Sequence, residues 1–172
     1  MQFEINHVFD VPLDTLELAL MSPDLGALLA ARLDPIESIH ALTHELRDDE
    51  FRRVWRFQAT APLKMLRGYP LAKDLMTWDE HSTYRMAAHT ARWHVVPRGD
   101  AAPDAPWRKN FVAAGTYHLD PLPDGRTRRT VTGNVEVHLK VIGPMVERVA
   151  LLELRKAYDA EAEALRALCS LG

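Results

Sequence analysis

Apolar and polar residues alternate over QFEINHVFD (residues 2–10), with Phe3, Ile5, His7 and Phe9 on one side and Gln2, Glu4, Asn6 and Val8 on the other. A period of two puts successive side chains on opposite faces, so the stretch reads as a half-buried strand. The period then lengthens. Pro12 suits the first turn of a helix, and Leu13, Leu16 and Leu20 recur at helical spacing, predicting a helix over 12–21. Ser22 as N-cap, Pro23 at the first helical position and a stripe of Leu25, Leu28 and Leu29 predict a second over 23–33. From residue 36 the period returns to two, and residues 36–60 read as two strands about the polar turn Asp48-Asp49. APLKMLRGYPLAKD (61–74) has no clear period and reads as a loop. Residues 75–97 read as two more strands without an obvious turn residue between them, and RGDAAPDAPW (98–107) as a second loop. KNFVAAGTYHLDP is another strand, and PLPDGR supplies a strong turn signal. Alternation resumes over 127–141 and stops at Gly143-Pro144. A helix of about 26 residues, 143–168, on the order of 39 Å long, is predicted to close the chain.

Successive strands joined by short turns make an antiparallel sheet, and its buried face needs a cover. The closing helix is the only element large enough. The pattern therefore predicts an α+β fold: six or seven antiparallel strands curved around a long C-terminal helix, with two short helices after the first strand. No internal repeat or domain boundary shows, so residues 1–172 are expected to form a single domain.

Composition narrows the function classes. The formal charge of −3 carries no basic footprint for nucleic acid. One cysteine, Cys169, excludes a disulfide within the chain and a four-cysteine zinc site. MQFEINHVFD has neither the basic segment nor the apolar run of a signal peptide, and no apolar stretch approaches the roughly 18 residues of a membrane span. A cytoplasmic protein is expected, and the richness in Ala, Arg, Leu and Asp predicts a high-GC bacterial source.

Two stretches carry a family resemblance. EINHVFDVPLDTLELALMSPDLG resembles the opening of the START-like (SRPBCC, helix-grip) superfamily, and GNVEVHLKVIGPMVERVALLELRKAYDAEAEAL resembles its closing. The likeness spans nearly the whole chain and extends to polyketide cyclases, lipid-transport relatives, a bacterial START-like family of unknown function and, more weakly, PRELI-type phospholipid carriers. It implies a hydrophobic cavity between the sheet and the last helix. A fold shared by carriers, enzymes and scaffolds does not by itself assign a function.

Taking Val131, Gly133, Val135, Val137 and Leu139 as inward, and the more apolar register elsewhere, assigns one face to the interior. It holds Ile36, His40, Leu42, His44 and Leu46, then Phe51, Arg53, Trp55 and Phe57, then Met76, Trp78, Glu80, Ser82 and Tyr84. Ala87, His89, Ala91, Trp93 and Val95 follow, then Phe111, Ala113, Gly115, Tyr117 and Leu119. From this face and the helix, the candidate ligand-binding residues are Arg53, Trp55, Phe57, Trp78, Glu80, Tyr84, His89, Trp93, Phe111, Tyr117, Val135 and Leu152. Small residues such as Ala91, Ala113, Gly115 and Gly133 leave room for a ligand, or else let neighbours approach closely.

A metal site is not expected: His40 and His44 lie four residues apart on a strand, about 13 Å, too far for one ion. Cys169 has no base nearby in sequence, and no nucleophile elbow, phosphate loop or dinucleotide fingerprint occurs. No cofactor is expected. Three readings stand open. The first is binding, and transfer, of a hydrophobic small molecule or lipid, with Arg53 as the polar anchor for a carboxylate or phosphate headgroup or for Glu80. Loop 61–74, mixing Leu63, Met65, Leu66, Tyr69 and Leu71 with Lys64, Arg67 and Lys73, would then act as a lid or touch a membrane transiently. The second is a polyketide cyclase or dehydratase-like enzyme using Arg53, Tyr84, His89 and Tyr117. The third is a partner-binding module whose interior is filled, which a pocket below a few hundred Å³ would favour.

Overall fold

The structure, a computed structural model, describes residues 1–34, 36–61, 68, 75–98 and 109–171. Strand β1 (Gln2–Phe9) is followed by α1 (Leu13–Leu20) and α2 (Leu25–Ala30). Strands β2 (Ile36–Arg47), β3 (Glu50–Ala59), β4 (Thr77–Arg85), β5 (Thr90–Pro97), β6 (Phe111–Pro121) and β7 (Thr127–Val137) come next, and α3 (Gly143–Cys169) closes the order. The strands form one seven-stranded sheet in the order β1-β7-β6-β5-β4-β3-β2, antiparallel at every pairing. Helix α3 packs across its inner face, with α1 and α2 beside it. This is the helix-grip arrangement that the resemblance implies. Among the described residues no helix is long and apolar enough to cross a membrane.

Alternation places the core as expected on most strands. Phe51, Arg53, Trp55 and Phe57 are all buried on β3, and Ala91, Trp93, Ala113, Tyr117, Leu119, Val131 and Val135 on β5 to β7. Strand β2 departs from the expectation. Two register irregularities, at Ile36/Ser38 and Ala41/Thr43, insert extra residues opposite β3. A bulge shifts parity, so Ile39 and Ala41 lie opposite the inward Phe57 and Trp55, whereas His40 pairs with the outward Arg56. His40 and Leu42 are exposed rather than inward, and His44 and Leu46, although paired with the inward Arg53 and Phe51, are exposed as well.

The β4–β5 turn is Met86–His89, with His89 in the left-handed region at φ 51°. Ala87 and His89 therefore belong to the turn and not to an inward strand face. The last strand stops at Val137, four residues early, and Val141 is exposed. The cause lies in the helix that follows: Glu147 of α3 accepts from the Val137 N–H at 2.9 Å, and Val137 O lies so close to Gly143 that a Cβ there would sit 2.4 Å from it. Only glycine lets strand end and helix start approach this closely.

Candidate functional site

Between the sheet and the N-terminal half of α3 lies a cavity of about 150 Å³. Its walls are apolar: Trp55 and Phe57 from β3, Trp78 from β4, Phe111 from β6, and Val146, Ala150 and Leu154 from α3. Phe57 and Trp78 stack nearly parallel, with centroids 5.2 Å apart. The cavity reaches Ala61, Leu75 and Pro97, at the end of the sheet where β3 to β6 are joined by residues 62–74 and 99–108. Apart from Ala61 and Gly68, the expected loop 61–74 lies outside the described residues.

The polar cluster beside the cavity is built on three inward strand positions, Arg53, Glu80 and Arg129, and one helix position, Glu161. Arg53 is 4% exposed, its guanidinium 3.5 Å above the Trp55 ring. One of its nitrogens lies 3.4 Å from Glu161 and 3.7 Å from Glu80. Glu161, on α3, also accepts from Arg129 Nη1 at 2.6 Å. Arg129 is fully buried and donates further to the Tyr158 carbonyl at 3.1 Å and to His7 Nδ1 at 3.3 Å. Accepting that bond leaves His7 Nε2 to donate to Asp159 at 2.8 Å. The ring is thus neutral, and burial together with the Arg129 charge lowers its pKa.

The two carboxyls respond oppositely to one environment. Burial works to raise Glu161, but the charges and hydrogen bonds of Arg129 and Arg53 outweigh it and hold the carboxyl below the usual range. Glu80 has only the longer contact to Arg53. Burial dominates there, with Glu161 adding repulsion, and its carboxyl is pushed up to about 7. Burial also raises the Tyr158 phenol well above its ordinary value and pushes Tyr117 up to about 12, so both stay protonated.

A second polar cluster lies at the α1 end. Glu17 accepts from the Tyr84 hydroxyl at 2.6 Å and lies 2.6 Å from His89 Nδ1. Burial first, and the Glu17 bond second, raise the Tyr84 phenol strongly. On the outer face Asp79 is 1% exposed, clamped by Arg56 at 2.8 and 3.0 Å and by Arg98 at 2.9 Å. Among the described residues no three His, Cys, Asp or Glu side chains gather as metal ligands.

The candidate residues therefore divide. Trp55, Phe57, Trp78, Glu80, Phe111 and Val135 line the cavity. Trp93 and Tyr117 are buried in the core beside it, and Arg53 lies behind the wall, taken up by Glu161 and Glu80. Tyr84 and His89 meet at Glu17 and do not line it. Leu152 is corrected: 45% exposed, it lies on the solvent side of α3, between Leu151 and Glu153, and does not line the cavity. The sequence reading missed Arg129 and Glu161. Both carried a signal: Arg129 has the parity of Val131 and Val135, and Glu161 falls on the helical stripe Leu154, Tyr158, Leu165.

No curated protein matches the sequence. Solved structures do match in fold. The Zhui aromatase/cyclase from Streptomyces sp. R1128 superposes with a TM-score of 0.64 at 14% identity, over 99% of this chain and 93% of that one. A START superfamily protein from Mycobacterium smegmatis does so with a TM-score of 0.52 at 19% identity, over 94% and 97%. TTHA0849 from Thermus thermophilus gives 0.60 at 14% identity, over 99% and 98%. At these identities the likeness establishes the START-like fold. The model of the family described as Protein of unknown function (DUF2505) matches residues 4–168, and the chain belongs to that family.

Proposed function

We propose that the chain, acting as one unit over residues 1–172, binds a small hydrophobic molecule between the sheet and α3. The observation that carries this reading is the cavity, apolar on most of its walls and with Glu80 among the few charged groups that line it. Apolar walls with few polar groups are the usual make-up of a small-molecule site. Its volume of about 150 Å³ points to one ring or a short alkyl chain within these walls; an apolar void of about 150 Å³ elsewhere takes up benzene. That is smaller than a long-chain lipid needs, and it narrows the expected ligand from lipids to compact molecules. The fold likeness to an aromatase/cyclase and a START superfamily protein supports the same general class.

Toluene titrated into the labelled protein tests the reading by NMR. The indole N–H resonances of Trp55 and Trp78 should shift saturably. Ala157→Phe, which places a ring in the cavity from α3, should abolish the saturable shift while keeping the fold. No saturable shift in the wild type would refute the reading and favour the partner-binding module, which a small pocket also suits.

Acid–base chemistry is the second reading, favoured by one observation: Glu80 titrates near neutrality against an apolar cavity, where a carboxyl can both take and return a proton. Deuterium exchange at the methyl group of acetophenone, catalysed by the wild type and lost in Glu80→Gln, would establish it; no exchange above buffer would remove it.

A further inference from the structure

The anchor expected from the sequence was Arg53, which would select an anionic headgroup. The geometry reverses that polarity. Arg53 does not line the cavity, and its charge is met by Glu161 and Glu80, with its flat face on Trp55. The charged residues that do line the cavity are Asp34, Glu80, Glu153 and Glu161, and among the described residues no Lys or Arg joins them. Three of these four have evident reasons to be where they are. Asp34 is exposed, Glu153 pairs with Lys156 at 3.0 Å, and Glu161 bridges the two arginines.

Glu80 is different. It lies in the middle of β4, between Trp55 on β3 and Val95 on β5, with 21% of its side chain accessible. Its ion pair with Arg53, at 3.7 Å, is longer than a well-formed hydrogen bond and weaker than the 3.4 Å contact Arg53 makes with Glu161. A carboxyl set in an apolar wall is an acceptor awaiting a donor.

Resting on the binding reading above, we infer that the cavity selects an apolar molecule whose single polar end is a hydrogen-bond donor, a hydroxyl or an ammonium group, seated against Glu80, and that it rejects carboxylates. An ionised Glu80 accepts from either donor and repels an anion. Protonated, it still accepts from a hydroxyl but loses its attraction for an ammonium. The groups that set its charge are Arg53 on β3, Arg129 on β7, and Glu161 on α3. Tyr158, Glu153 and Asp34 share the cavity wall, and Tyr117 is buried beside it. Glu80, its carboxyl pushed up to about 7 by burial, changes charge between pH 5.5 and 8.5.

Four probes share one ring and differ at one substituent: toluene, benzyl alcohol, benzylamine and benzoate. Their affinities are read from the Trp55 and Trp78 indole shifts at pH 8.5 and 5.5. At pH 8.5 benzyl alcohol and benzylamine should bind more tightly than toluene, and benzoate at least tenfold more weakly than benzylamine. Lowering the pH to 5.5 should weaken benzylamine severalfold and leave benzyl alcohol nearly unchanged, because benzylamine itself stays protonated throughout. Glu80→Gln should bring benzylamine and benzoate within about threefold of one another and remove the pH dependence. Glu153→Gln, a rim change, should leave the order intact. Benzoate binding as tightly as benzylamine, or an order unchanged in Glu80→Gln, would overturn the inference while toluene binding left the hydrophobic-site reading standing. If toluene too fails to bind, both fall.

Discussion

Replacing Glu161 by Gln keeps the shape of the side chain and removes the charge that two buried arginines share. Arg129 has no exposed surface, Arg53 is 4% exposed, and Glu161 is 6% exposed. The wild-type contacts are 2.6 Å to Arg129 and 3.4 Å to Arg53. Arginine does not deprotonate in this range, so Arg129 cannot escape by titrating. Gln retains one acceptor, but its amide N–H group then faces a guanidinium, donor against donor. Breaking a buried pair by removing one partner costs about 3–5 kcal/mol. At about 2–4 °C per kcal/mol for a chain of this size, the melting temperature should fall by roughly 6–20 °C. Urea unfolding at pH 7, followed by circular dichroism, measures the loss directly. Arg129→Met combined with Glu161→Leu should recover part of it, because it removes one of the two uncompensated charges and leaves Arg53 with Glu80. The pH dependence has a definite sign. Glu161 is depressed below its ordinary 4.5, so its contribution is present above that value and is lost as pH falls through the folded-state pKa. The acid limb of the wild-type stability curve should therefore flatten in Glu161→Gln. A loss below about 1 kcal/mol, the range of an exposed pair, would show that water reaches the cluster and would refute the reasoning.

Glu80→Gln should act at a different pH and with the opposite sign: folding raises this carboxyl from 4.5 to about 7, a shift worth about 3 kcal/mol that is present below pH 4.5 and lost as pH rises through 7. Stability curves of wild type and variant should diverge between those values in the variant's favour, and parallel curves would count against a buried Glu80. Gly133→Ala should destabilise by about 1–3 kcal/mol through overpacking, since the new Cβ would lie 2.7 Å from Trp93 Cζ2 and 2.8 Å from both Phe3 Cζ and Ala114 O; an unchanged unfolding midpoint would mean that the rings can move aside.

How much of this was legible in the sequence depends on whether a feature obeys parity. Phe51, Arg53, Trp55 and Phe57 alternate without interruption, and the structure buries all four. Strand β2 alternates just as well on paper, but its two irregularities reset the parity, and nothing in IESIHALTH marks where an extra residue enters. The β4–β5 turn was hidden for a related reason. His89 supplies the positive φ that a glycine would have advertised, and a histidine, though enriched in that region, does not by itself mark a turn. The end of β7 was hidden because it is set by contacts from another element, Glu147 and Gly143, while the alternation runs on through Val141. The ion cluster was legible in part. Arg53 was anticipated with Glu80 as its partner, but the stronger partner is Glu161, more than a hundred residues away, and no local pattern pairs a strand arginine with a helix glutamate.

The same pairing explains why small residues mean two things in one helix. Ala150 and Ala157 lie on the N-terminal side of Glu161, and both line the cavity. Ala162 and Ala164 lie beyond it and are fully buried among Leu16, Leu25 and Leu165. A methyl group opens space when large rings hold the sheet apart from the helix, as Trp55, Phe57 and Trp78 do at the cavity end. It closes space when a neighbouring element packs directly on it, as α1 and α2 pack on α3. The change of role falls at the Arg53–Glu161–Arg129 cluster, which ties β3 and β7 to α3 at one level of the helix. A charged cluster is a poor filler but a specific spacer, because its donors and acceptors meet in one geometry only. Glu80, which lines the cavity, is the member the cluster satisfies least.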